Sequence, residues 1–270
     1  MSIARVIVTG MNGTVAPAVA SELRARGGEV VAWDRAAVPP DDHDATEEFI
    51  RGSGASALVH CAMGDPRWAE RMAVCSAALG IAFLHTGSAS VFGPHQAGPH
   101  AADAVPEPQD DYGRYKLECE RLVRAAHPGA HVVRLGWQIA LRQGGNQMVE
   151  WLARQQAEHG HVAASTRWFP ACSFLEDTAR VLADVLERLP PGTYQLDGNP
   201  GWDMHRVASA PNRALGGPWD VRPCEGLRLE NRMQDPRLPS ASIGARLAPH
   251  APRLRRFCAT NSRWWSTWWA

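Results

Sequence analysis

The sequence has only three tyrosines in 270 residues and no surplus of charge, with 28 basic against 28 acidic side chains. The charge balance argues against nucleic acid or another polyanion as the main partner and leaves room for a small anionic ligand. No apolar run approaches the roughly 18 residues a membrane helix needs, and "MSIARVIVTG" lacks the basic stretch and long apolar core of a secretory signal. The expectation is a soluble, cytoplasmic protein with no membrane partner. There is no C-x-x-C pair: Cys61, Cys75, Cys119, Cys172, Cys224 and Cys258 are scattered, without the histidine spacing that suits zinc, and read as buried thiols in a reducing compartment. Lone histidines such as His60, His85, His95, His100 and His131 read as core or surface groups. His159 and His161 flank one glycine with no acidic or thiol cluster nearby, so no metal is assigned. No internal repeat is present.

What the chain does have is alternation. "RVIVTG" is a β-branched run ending in glycine, "TVAPAVASELRARG" places Val15, Val19 and Leu23 at helical spacing, and "EVVAWDR" is the next strand. Strand, helix and strand in about 30 residues predict a βαβ unit and a parallel sheet. "ATEEFIRGSG", "PRWAERMAVCSAALG" and "YGRYKLECERLVRAA" continue as helices between the strands "ALVHCA", "IAFLHTGSAS" and "HVVRLGWQIA". The fold class expected is α/β, a Rossmann-like doubly wound parallel sheet. Beyond Gly144 the rhythm weakens: "NQMVEWLARQQAEHG" and "LEDTARVLADVLERL" are amphipathic helices, whereas "GNPGWDMHRVASAPNRALGGPWDVRP" is rich in Gly, Pro and Trp. Residues 1–144 are expected to form the dinucleotide domain and 145–270 a small C-terminal substrate lobe, interleaved with the first. The tail "NSRWWSTWWA", with Trp264, Trp265, Trp268 and Trp269, reads as docking on its own chain or on a second subunit, which leaves a homodimer open.

Chemistry enters at two places. In "TGMNGTVA" Gly10 and Gly13 stand between strand and helix with Asn12, Thr14 and Ala16, where main-chain N–H groups can approach a pyrophosphate. Asp34 ends the second strand roughly 20 residues on, the position of a carboxylate that holds an adenosine ribose. Together they predict a nicotinamide dinucleotide. Asp34 would repel a 2′-phosphate and favours NAD, while Arg35 beside it leaves NADP open.

The second place is "DDYGRYKLECE". Tyr112 and Lys116, four apart, share a helix face, whereas Tyr115 is turned about 100° from Lys116. An ammonium near the Tyr112 phenol is expected to lower its pKa and make it a usable acid or base. Ser88, at the end of the preceding strand, is placed to hold a substrate carbonyl oxygen.

With "VIVTGMNGTVA", "VHCA", "GSASVFG" and "YGRYKLECE" in order, the chain resembles an extended short-chain dehydrogenase/reductase. Through "WDR", "VVRLGW", "GGNQMVEWL", "FPACSFLEDTARVL" and "PGTYQLDGN" it is most similar to the dTDP-4-dehydrorhamnose reductase branch. The resemblance implies a Ser88–Tyr112–Lys116 triad and hydride transfer between NAD(P)H and a carbonyl, often on a nucleotide-linked 4-keto sugar. It also implies Lys116 on the nicotinamide ribose and Cys61 and Ala62 along the cofactor. "GSASVF" departs from the branch at Ala89 and Ser90, and "STRWF" replaces a polar, glycine-containing loop, so that Trp168 and Phe169 stand where a flat ligand could stack. Ser90, Trp137, Trp168 and Arg237 are the candidate substrate contacts. The leading expectation is an NAD(P)-dependent ketoreductase acting on a small-molecule carbonyl. A non-catalytic dinucleotide-binding regulatory subunit and an NAD-dependent sugar epimerase are the alternatives.

Overall fold

The structure is a computed structural model that describes residues 4–141, 145–239 and 242–247. The tryptophan tail and Cys258 lie outside the described residues. The first half runs β1 (Arg5–Thr9), α1 (Val15–Ala25), β2 (Glu29–Ala32), α2 (His43–Gly52), β3 (Ala57–His60), α3 (Pro66–Leu79) and β4 (Ala82–Ser88). A 3-10 turn (Ala89–Val91), β5 (His100–Ala101), α4 (Asp111–Ala126), β6 (His131–Leu135) and β7 (Trp137–Ile139) follow. The remainder is α5 (Met148–His159), β8 (Val162–Ser165), β9 (Trp168–Phe169), β10 (Cys172–Phe174), α6 (Leu175–Arg188), β11 (Gly192–Leu196), α7 (Met204–Ala214), β12 (Val221–Cys224), β13 (Leu229–Glu230), β14 (Met233–Gln234) and α8 (Ile243–Arg246).

Six strands form one parallel sheet in the order β11-β6-β4-β3-β1-β2. β3, "ALVH", is buried at every residue, as a central parallel strand covered on both faces must be, whereas the edge strand β2 is half exposed. One face packs Val6, Val8, Val19 and Leu23 against Leu182, Val185 and Tyr194; the other packs Ile7, Leu58 and Phe83 against Trp68, Met72 and Val123. Strand order reverses between β1 and β3, so their carboxyl ends open a crevice.

The structure differs from the sequence reading in three places. "HVVRLGWQIA" is two strands, because it breaks at Gly136, where a Cβ would collide with the Ala171 carbonyl. β6 ends in the large sheet there, and β7 leaves it to pair with β10, carrying Trp137 away from the sheet. "LEDTARVLADVLERL" belongs to the large sheet's own layer: α6 covers α1, Arg26 donates to Asp184 (2.8 Å) and Glu187 (3.0 Å), and β11 then completes the sheet edge. The Gly-, Pro- and Trp-rich stretch holds a helix, α7, started by Asp203, whose carboxylate accepts from the Arg206 N–H (2.7 Å). The small lobe has its own core of Ile139, Met148, Leu152, Phe174, Val207 and Trp219.

Candidate active site

A cleft of about 1430 Å³ lies at the carboxyl ends of β1, β3, β4 and β6, reaching from Asp34 at one end to Trp168 and Asn231 at the other. Its floor is the loop after β1. Gly10 adopts φ +84°, and a Cβ there would stand 3.0 Å from the Ala62 backbone nitrogen, so the residue must be glycine on both counts. Gly13 donates its N–H to the Gly10 carbonyl (2.8 Å), closing the turn that leads into α1. Thr9 ties this loop to β3: its hydroxyl oxygen accepts from the N–H groups of Cys61 and Ala62 (both 3.2 Å). Thr14 accepts from the Asn146 N–H (2.9 Å), which draws the segment after β7 over the loop. Gly10, Asn12, Gly13, Thr14, Cys61 and Ala62 all line the cleft. The positive φ, the close backbone approach and the exposed loop amides fit a dinucleotide pyrophosphate.

At the adenosine end, Asp34 is exposed and its carboxylate accepts from the Ala36 N–H (2.9 Å). Arg35 donates to the Met63 carbonyl and lies over the Trp68 ring at 4.8 Å.

At the other end, α4 presents Tyr112 and Lys116. The helix starts where Asp110 accepts from the Gly113 N–H (2.6 Å). Gly113 lets that first turn press on the 3-10 turn after β4, since a Cβ would fall on the Ser90 carbonyl. This docking sets Tyr112 in the same cleft as Ser88. Ser88, buried at the end of β4, also accepts from the Ser90 N–H (3.1 Å). Lys116 is buried and donates from Nζ to the Thr86 carbonyl (3.0 Å).

Two expectations from spacing change here. Lys116 Nζ stands 5.9 Å from the Tyr112 ring centre and 5.8 Å from that of Tyr115, so proximity to lysine does not separate the two tyrosines. What separates them is where each hydroxyl stands: that of Tyr115 accepts from the Gly64 N–H (3.1 Å), whereas Tyr112 lines the cleft with Ser88. Nor does lysine lower Tyr112 in the protein alone. Burial raises the phenol above its usual value, the nearby Ser88 side chain partly opposes that, and desolvation lowers the pKa of Lys116 itself.

Of the candidate substrate contacts, Ser90, Trp137 and Trp168 line the cleft. Arg237 does not reach it. Its guanidinium is held by Asp235 (2.7 Å) and the Thr193 carbonyl (2.6 Å), beside the amino end of β11, because "DPR" folds back as a local ion pair. Gln138 and Asn231 also line the cleft, although single polar residues in "GWQ" and "ENR" give no sequence signal that would have found them.

Below the cleft, His60 and His85 stack at 5.5 Å on adjacent strands, both fully buried. His60 pairs with the Thr9 hydroxyl (3.0 Å), whereas neither ring nitrogen of His85 has a partner. Desolvation, with Lys116 and Arg35 nearby, lowers His60 to about 3; desolvation, Lys116 and His60 lower His85. Because the folded protein holds both rings neutral, their contribution is intact above the ordinary 6.5 and is lost as pH falls below it toward about 3. A His85→Leu variant should therefore match the native protein in urea unfolding at pH 8 and exceed its stability at pH 5. Equal stability losses in the two proteins on acidification would contradict this.

With the crevice at the switch point and the glycine loop, this chain has the fold of the NAD(P)-dependent short-chain dehydrogenase/reductase class. Within that class the chain belongs to the RmlD substrate-binding domain family, which matches residues 65–237. It is 26% identical over 240 residues to a dTDP-4-dehydrorhamnose reductase of Mycolicibacterium smegmatis, covering 82% of this chain and 72% of that one. The dTDP-4-dehydrorhamnose reductase of Bacillus anthracis in complex with NADP superposes with a TM-score of 0.78 at 17% identity, over 89% of this chain and 96% of that one. A short-chain dehydrogenase/reductase superfamily protein of Agrobacterium tumefaciens with bound NAD gives 0.72 at 19% identity, over 94% and 97%. Among the described residues no helix is long and apolar enough to cross a membrane.

Proposed function

We propose that the protein reduces a ketone, with Tyr112 as proton donor, Ser88 as holder of the carbonyl oxygen and Lys116 as the residue that orients the nicotinamide ribose. The observation that carries this reading is that Ser88, Tyr112 and Lys116 line one cleft together with the Gly10–Gly13 loop and Asp34. A bound reduced nicotinamide supplies the hydride. The carbonyl oxygen that gains charge receives a hydrogen bond from Ser88 and a proton from Tyr112. Since burial keeps the phenol above its usual pKa, Tyr112 is protonated at neutral pH, the state an acid needs. The substrate named for the curated relative is a dehydrosugar linked to a nucleotide; for this chain the likeness supports the carbonyl chemistry, and the lining of the cleft decides the rest of the substrate. Such chemistry belongs in the cytoplasm, where reduced dinucleotide is regenerated.

The same reading takes NAD as the preferred cofactor. Asp34 places a carboxylate where a 2′-phosphate would sit, and Arg35 is already committed to the Met63 carbonyl and the Trp68 face. An Asp34→Ser variant should shift the ratio of kcat/KM for NADPH over NADH upward by about tenfold, the order of one lost charge repulsion. An unchanged ratio would assign the preference elsewhere.

Loss of nicotinamide absorbance when the protein is mixed with NADH and a panel of ketones tests the reading. Turnover of at least one ketone is expected. Tight dinucleotide binding with none reduced, and recovery in a stable hetero-complex, would favour the non-catalytic subunit. A tightly held NAD that co-purifies and is regenerated in each cycle would favour an epimerase.

A further inference from the structure

The substrate end of the cleft is built from aromatic faces and uncharged groups. Trp137 and Trp168 stack at 6.0 Å with their planes 21° apart, and Trp151 meets Trp137 edge-on at 5.3 Å. The wall is fixed in place: Trp168 donates from its indole N–H to the Asn231 side-chain oxygen (3.3 Å), which also accepts from the Ala171 N–H (3.3 Å). Among the described residues no cation lines the cleft beside the tryptophans. Among the described residues the cleft is lined by two cations, Arg35 at the adenosine end and Lys116, which is turned to the Thr86 carbonyl. Three arginines of the neighbouring segments are paired: Arg232 with Glu230 (2.8 Å), Arg167 with Glu225 (3.1 Å) and Arg237 with Asp235 (2.7 Å).

A second observation points the same way. Gln138 lines the cleft, is almost wholly buried, and donates its amide N–H to the Gly136 carbonyl (2.9 Å), yet its side-chain oxygen has no partner. A buried acceptor left open is costly and is met by a ligand hydroxyl or N–H; facing a phosphate oxygen it would repel. A nucleoside diphosphate needs forked or point cations at its phosphates, and an aromatic wall offers none.

We propose that the substrate end of this cleft selects an uncharged ketone with a flat aromatic body, stacked on Trp168 and Trp137, in place of a nucleoside diphosphate sugar. This rests on the ketone-reductase reading, but its test needs no turnover. The native protein is saturated with oxidised NAD, so that no ketone can be reduced, and titrated calorimetrically with 1-tetralone, with its saturated counterpart 1-decalone, with thymidine and with dTDP. Stacking on an aromatic wall is worth roughly 1 kcal/mol beyond burial, so 1-tetralone should bind about fivefold tighter than 1-decalone. Trp168→Leu should bring that ratio close to one, and Trp168→Phe should keep most of it, which separates stacking from a folding defect. The diphosphate should add nothing, so that dTDP binds no tighter than thymidine. The proposal is overturned if dTDP binds more than tenfold tighter than thymidine, if 1-tetralone has no advantage over 1-decalone, or if Trp168→Leu leaves that advantage intact. A protein that binds 1-tetralone through Trp168 but oxidises NADH with no ketone would keep this inference and lose the reductase reading.

Discussion

Tyr112→Phe is expected to lower kcat by roughly 10²–10⁴-fold, the usual worth of a positioned general acid, while dinucleotide affinity stays within about threefold. The reason for the split is spatial. Tyr112 sits in the first turn of α4 and lines the cleft beside Ser88 at the end of β4, whereas the Gly10–Gly13 loop that would hold the pyrophosphate is built on β1 and α1. Tyr115→Phe removes a different bond, the one that anchors the Gly64 N–H beside the adenosine end. It should cost about 1 kcal/mol of stability and leave kcat within a few-fold. Steady-state kinetics of the two variants, with dinucleotide binding measured separately, checks the pair. Equal losses in both would remove the ground for choosing Tyr112.

Arg134→Met is expected to be the most destabilising single change near the site, by about 3–5 kcal/mol. Arg134 on β6 meets Glu120 on α4 at 3.0 Å with both side chains nearly excluded from water, and it lies over the Phe92 ring at 5.3 Å. Gly87 exists for this pair, because a Cβ there would strike the Glu120 carboxylate. Removing the guanidinium leaves a buried carboxylate one turn beyond Lys116, where burial already raises its pKa. Glu120 would then take up a proton or draw Lys116 away from Thr86, so activity should fall more than Tm alone explains. The double variant Glu120→Leu/Arg134→Met should recover most of the stability, since it strands no charge. Urea unfolding of the three proteins decides it. A double variant as unstable as the single one would mean that the pair acts through packing.

The large sheet was legible in the sequence because parallel strands covered on both faces are written as short, continuous apolar runs. "RVIVT" and "ALVH" need no tertiary information to be read. The Ser88, Tyr112 and Lys116 constellation was legible for a related reason, since helical phase and the strand's carboxyl end put them in one cleft. What the sequence hid depends on long-range contact. Gly136 looks like any glycine inside a strand, and only the approach of Ala171 makes it the point where β7 leaves the sheet. α6 has the amphipathic pattern of any surface helix, and nothing local states that it covers α1. Arg237 was a candidate substrate contact; the fold pairs it with its own neighbour Asp235. Helical phase also misjudged the two tyrosines, because side-chain rotation brings both rings equally close to Lys116.

The central claim is that the Ser88–Tyr112–Lys116 cleft delivers hydride to a ketone carbon. The most direct measurement uses NADH carrying deuterium at the transferred position of the nicotinamide, incubated with the protein and a reactive ketone, with the alcohol analysed by mass spectrometry and NMR. The account predicts one deuterium on the carbinol carbon, formed by the native protein and at least about a hundredfold less by Tyr112→Phe in the same incubation time. Alcohol formed without deuterium on that carbon, or deuterium delivered equally well by Tyr112→Phe, would contradict it.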